Sequence, residues 1–251
     1  MSTTGPVYAI PLYRRLIRGI MRPLFRAIYH LLSRVRIQGK ENIPTKGPYL
    51  VASNHISLFE PPLILAFWPK ALEAVGAVEI WERPGQNILV RLYGGIPVHR
   101  GEYDRRIVEK MIGVLASGYP LLIAPEGGRT HTIGMRRANP GAAYLVDQTH
   151  VPVVPVGIQG TTDDFLKKAL RWKRPTIEMH IGVPFTLPPV AGRGESRRFA
   201  RQQNADKIMQ HIAELLPPDY HGIYAREMIH AEPPAPDSQA FDLHPPDDAQ
   251  A

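Results

Sequence analysis

From Val35 onward, short apolar runs alternate with stretches of helical periodicity, and this alternation constrains the fold of the 251-residue chain more than any other feature. Candidate strands are 48–53, 74–80, 96–98, 120–124, 152–158 and 176–183. Between or after them, 58–68, 86–93, 103–116, 141–148 and 197–216 read as helices. Strands alternating with helices predict an α/β fold, a mostly parallel central sheet flanked by helices. The length suits one sizeable domain, expected over 37–226, or two small ones. There is no cysteine, which excludes disulfides, thiolate metal sites and a Cys nucleophile.

Charge is unevenly spread. Residues 1–50 carry nine Lys or Arg against one acid, Glu41. At about 100° per residue, a helix over 8–33 gathers Arg14, Arg18, Arg22, Arg26 and His30 on one arc. Ile17, Ile20, Met21, Leu24, Phe25, Ile28 and Leu31 fall on the other. This pattern predicts that 1–36 is a basic amphipathic segment lying on a membrane, apolar face in the acyl boundary and arginines among anionic lipid phosphates. The alternative is a helix docked on its own domain. Pro23 is expected to kink the helix or divide it in two. No run reaches the roughly 18 apolar residues that a spanning helix needs. Arginines also interrupt the apolar stretch that a secretory signal would require. The expected location is therefore the cytoplasmic face of a membrane, peripheral or monotopic. A basic front end also fits nucleic acid, but the clean apolar face and the lack of a recognition motif argue against it. Residues 227–251, with six acids, no Lys or Arg and several Pro, have little to bury and are expected to be disordered.

Four segments carry candidate chemistry. Asn54-His55 stands just past an apolar run, with Glu60 five positions after the histidine. Histidine accepts a proton near neutrality, and a carboxylate on its second ring nitrogen would fix the tautomer. Gly95 and Arg100 bracket a short strand, and a guanidinium offers a planar fork of donors to a phosphate. Pro125-Glu126-Gly127-Gly128-Arg129 leaves another apolar strand, its glycines letting backbone approach a ligand. Val151-Pro152-Val153-Val154-Pro155-Val156 is an apolar strand whose role would be to shape a wall. Singly, each has an ordinary explanation in turn, core or surface chemistry.

Taken in this order, the four resemble the glycerolipid acyltransferase family typified by 1-acylglycerol-3-phosphate acyltransferases. That family shows Asn-His-x-x-x-x-Asp, Gly-x-x-x-x-Arg, Pro-Glu-Gly-Thr-Arg and Val-Pro-x-x-Pro-Val segments. The resemblance runs from about Gly39 to Val183, with two departures: Glu60 stands where Asp is usual, and Gly128 replaces Thr. It implies transfer of a fatty acyl group from acyl-CoA or acyl carrier protein to the hydroxyl of a lysophospholipid. First among these acceptors is 1-acylglycerol-3-phosphate, giving phosphatidic acid. His55 would be the general base and Glu60 its orienting acid, with no metal or other cofactor. Arg100, Glu126, Gly127 and Arg129, with Gly95 and Pro155 beside them, would bind substrate, and Arg136 and Arg137 would add positive field. The two departures leave room for a different lysophospholipid or a glycolipid acceptor, or for a non-catalytic lipid-binding protein on the same fold.

Overall fold

The computed structural model describes residues 8–225 except Asp163; the acidic stretch 227–251 lies outside the described residues. Seven strands form one sheet: β1 (Arg34–Gln38), β2 (Leu50–Ser53), β3 (Glu73–Ala77), β4 (Ile96–Val98), β5 (Leu121–Ile123), β6 (Val153–Gln159) and β7 (Thr176–Ile181). Their order is β1-β7-β6-β2-β5-β3-β4. β6, β2, β5, β3 and β4 run parallel, β7 is antiparallel to β6, and β1 follows β7. β2 lies at the centre and is buried on both faces, so it reads as a continuous apolar run without alternation.

The helices are α1 (Leu12–Leu32), α2 (Glu60–Phe67), α3 (Gln86–Tyr93), α4 (Arg105–Ala116), α5 (Gly141–Thr149), α6 (Phe165–Leu170) and α7 (Gly194–Ala213). They divide the core between the two faces of the sheet. Leu50 and Ala52 pack with Met111, Leu115, Leu145, Ile208 and Ile212 of α4, α5 and α7. Val51 turns the other way, toward Leu63 and Ile64 of α2, Trp68, Tyr29 of α1 and Phe165 of α6. The loops that follow β2, β5 and β6 leave the same end of the sheet, where ligands of parallel α/β sheets bind.

Most expected elements are present, several with identical or nearly identical bounds. β1 and α6 were not anticipated. β1 is an edge strand paired only with β7, and its Arg-Val-Arg-Ile-Gln alternation merges with the basic front end. α6 has six residues, too few for a helical period to register. The expected segment boundary between residues 36 and 37 falls inside β1.

Arg14, Arg18, Arg22 and Arg26 of α1 do not face outward as the amphipathic pattern predicted, whereas Arg15 is exposed. Arg18 is 1% exposed, donates from Nε to the Tyr93 carbonyl at 2.8 Å, and pairs with Glu73. Arg22 and Arg26 donate to the Leu65, Ala66 and Trp68 carbonyls at the end of α2. Those carbonyls belong to the last turn of a helix, where acceptors lack intrahelical partners and carry partial negative charge. Arg14 packs against Gly94, where a Cβ would stand 2.8 Å from its side chain. The polar arc is therefore the docked one, and Leu12, Leu16, Ile20, Leu24, Ile28 and Leu31 are 40–71% exposed. Pro23, on the exposed side, does not divide the helix.

Candidate active site

His55 follows the end of β2 in a short loop, and Glu60 opens α2. Pro61 and Pro62 suit that opening because the first helical N–H groups need no intrahelical acceptor. His55 Nδ1 lies 2.8 Å from Glu60 Oε2. The Ser57 N–H donates to both Glu60 oxygens, at 3.0 and 2.9 Å, and the Thr161 hydroxyl donates to Oε1. Glu60 is fully buried, while the His55 side chain is 14% exposed. A carboxylate on Nδ1 fixes the proton there and leaves the Nε2 lone pair to accept one.

The loop carrying His55 is held from three sides. Asn54, fully buried, exchanges two 2.8 Å hydrogen bonds with the Ile158 backbone and so ties the loop to β6. Glu126 accepts from the His55 N–H at 2.8 Å and from the Arg136 N–H at 2.9 Å. The His55 carbonyl accepts from the Thr130 N–H at 3.0 Å. Burial pushes the Glu126 carboxyl up to about 8, against the downward pull of its two backbone donors and the Arg136 charge.

Arg100 and the glycine loop meet at Gly128. A Cβ on Gly128 would stand 3.2 Å from Arg136 Nη2 and 3.5 Å from the Arg100 guanidinium carbon. Gly127 takes a left-handed conformation (φ 69°), which closes the turn through its N–H to the Ala124 carbonyl. Arg129 lies one residue before the Thr130 rung that joins this loop to His55. Two guanidinium groups converging on one bare glycine favour an anion there.

The other sequence-predicted residues lie elsewhere in the packing. Both carboxylate oxygens of Glu126 are committed to backbone donors, so the side chain fastens loops together. Gly95 is packed under Val90 and Trp81, where a Cβ would stand 2.8 Å from Val90. Pro155 is buried within β6 against Gly182. Thr161 was missed: it belongs to no motif segment, and only its place just past β6, at the same end of the sheet as His55, marks it. Among the described residues no group of three or more His, Cys, Asp or Glu is placed to hold a metal.

Residues 34–159 match the family model described as Acyltransferase. The 1-acyl-sn-glycerol-3-phosphate acyltransferase alpha of Homo sapiens is 26% identical over 179 residues, 70% of this chain and 62% of that protein. The lyso-ornithine lipid O-acyltransferase of Pseudomonas aeruginosa is 29% identical over 210 residues, 76% of each. Among solved structures, the 1-acyl-sn-glycerophosphate (LPA) acyltransferase PlsC from Thermotoga maritima aligns with a TM-score of 0.54 at 25% identity, covering 78% of this chain and 79% of that one. The chain spans about three-fifths of the length of the first curated relatives it matches.

Proposed function

Because this chain belongs to the acyltransferase family, we propose that it moves a fatty acyl group from a thioester to the hydroxyl of a lysophospholipid. The reading rests on one observation, the His55–Glu60 pair on a loop hydrogen-bonded through Glu126 and Thr130 to the glycine loop where two guanidinium groups meet at Gly128. His55 Nε2 takes the proton of the acceptor hydroxyl as its oxygen attacks the thioester carbonyl. Glu60 steadies the imidazolium that forms. Collapse of the tetrahedral adduct breaks the carbon–sulfur bond, and His55 returns the proton to the leaving thiolate. An ester and a free thiol result. Direct transfer suits a chain without cysteine.

Arg100 and Arg136 favour an acceptor whose head group is a phosphate monoester, as in 1-acylglycerol-3-phosphate, and the donor is acyl-CoA or acyl carrier protein. A second acceptor class has support from Gly128, which removes the hydroxyl usual there, and from the lyso-ornithine lipid relative. No helix among the described residues is long and apolar enough to cross a membrane. The outward apolar face of α1, with exposed Ile88, Leu89 and Leu92 on neighbouring α3, supports a protein lying on a bilayer.

The test is a lysolipid panel with both donors, read by mass spectrometry of the products. Phosphate-bearing acceptors should be used first. In folded protein, His55→Ala should lower turnover about 10²–10⁴-fold. A variant that retained ordinary turnover would remove the base from His55.

A further inference from the structure

We propose that Thr161 is a positioning residue of this site, an anchor for the longer acid at position 60. Its hydroxyl is fully buried and donates to Glu60 Oε1, while Glu60 Oε2 faces His55 Nδ1 at 2.8 Å. A glutamate has one more rotatable bond than the aspartate usual at this place, and so one more way to swing away from the imidazole. Apart from Thr161, the hydrogen bonds to Glu60 come from its own loop: the Ser57 N–H, shared between both oxygens, and His55 itself. Among the described residues the Thr161 hydroxyl alone donates a hydrogen bond to the acid from another element, and it engages the oxygen that His55 does not use. It thereby sets the rotation of the carboxylate plane, and with it the orientation of the ring.

The turn that presents Thr161 is itself held. Gly160 is left-handed (φ 87°), and a Cβ there would stand 2.2 Å from the Thr176 carbonyl oxygen, so only glycine fits. The Gly160 N–H donates to the Tyr220 hydroxyl at 3.1 Å. Asn54 ties the same end of β6 to the His55 loop. Base, acid and anchor are therefore cross-linked to one another and to the end of β6. Thr161 touches neither substrate nor the reacting atoms, and it acts through Glu60.

The proposal rests on the acyl-transfer reading of His55, and its tests separate the two. Thr161→Val keeps the shape and removes the hydroxyl. It should lower kcat by about 10- to 100-fold, the scale of a base held slightly out of place, with acceptor KM within about twofold of the parent (a change worth less than ~0.5 kcal/mol). Thr161→Ser should restore kcat. If Thr161→Val does not fold, Glu60→Asp tests the same link without altering the buried anchor. The shorter acid cannot span Thr161 and His55 together, so the residue usual in the family should lower kcat here. The proposal is overturned by a Thr161→Val kcat equal to the parent, a Thr161→Ser loss as large as that of valine, or a Glu60→Asp kcat at or above the parent. One arm needs no turnover. The ¹⁵N resonances of the His55 ring should report the Nδ1–H tautomer in the parent and a mixture of tautomers in Thr161→Val. An unchanged tautomer in that variant rejects the anchor even if no lysolipid is acylated.

Discussion

Arg18 and Glu73 form an ion pair in the interior, joining the N-terminal helix to the first residue of β3 with neither side chain more than 2% exposed. Tyr8 donates to the same carboxylate at 2.7 Å, and the Arg18 guanidinium lies over the Tyr93 ring. The helix is therefore an integral part of the domain. Breaking one partner of such a pair leaves an uncompensated charge in the core, at a cost of about 3–5 kcal/mol. Arg18→Met should lower urea-unfolding stability by that order. Adding Glu73→Leu should recover much of the loss, because the stranded carboxylate is then gone. Equal stability of Arg18→Met and the parent would show that the pair does not secure α1.

This anchoring changes how membrane contact is best tested. Deleting the helix would remove Arg18, Arg22, Arg26 and the buried Tyr29, and the domain would lose more than its lipid surface. Substitutions confined to the outward face leave those contacts in place. Leu16→Asp and Ile20→Asp, at positions 62% and 70% exposed, should leave thermal stability unchanged. Each Leu or Ile that immerses contributes about 1.5–3 kcal/mol, so each change should weaken co-sedimentation with liposomes by about tenfold or more. Binding that persists undiminished would place the lipid contact elsewhere.

The difference between these tests shows where the sequence was legible. The helix within 8–33 was legible, and its two arcs were legible in part: Phe25, placed on the apolar arc, packs on the core, and His30, placed on the basic arc, is exposed. Periodicity reports that two faces differ; it does not say which is docked. That was decided by the end of α2, whose unpaired carbonyls and the distant Glu73 are contacts made only in the fold. At the candidate site, the sequence grouped His55 with Glu60 because both lie in one short segment beside an apolar strand, and the structure places them together; it also brings Arg100 to the glycine loop. Thr161 lies 101 residues from Glu60 and shows itself only once β6 is laid beside β2. Gly95 and Pro155 shared segments with functional candidates, yet the structure uses them for packing against Val90, Trp81 and Gly182.

Glu126 gives the site a pH signature. Its carboxyl is raised from the ordinary 4.5 to about 8 by burial. Between those values the folded state holds a proton that the unfolded state has released. The contribution to stability is thus complete below about pH 4.5, declines as pH rises, and is gone above about 8. Urea unfolding followed from pH 5 to 9 should show this decline, with a slope of up to ~1.4 kcal/mol per pH unit from the one group. Glu126→Gln should flatten it. Glutamine has one acceptor oxygen for the two N–H groups of His55 and Arg136, so the variant should also be less stable by about 1–3 kcal/mol near neutrality. A slope that survives in Glu126→Gln would assign the proton to another group.

The bare Cα of Gly128 leads to the sharpest expectation about the acceptor. Arg136 reaches within 3.2 Å of where a Cβ would stand, closer than side chains pack without adjustment. Gly128→Thr would therefore displace the Arg136 guanidinium while leaving its backbone N–H on Glu126. If Arg100 and Arg136 share the head-group phosphate, Gly128→Thr and Arg136→Ala should both raise acceptor KM, the threonine less than the alanine. Arg100→Ala should raise it about tenfold, the lower end for a charge-assisted hydrogen bond because the side chain is exposed. Donor KM should stay at the parent value in all three. Steady-state kinetics with acceptor and donor varied in turn distinguishes the outcomes. An acceptor KM unmoved by Arg100→Ala and Arg136→Ala alike would mean that these two guanidinium groups do not bind the acceptor.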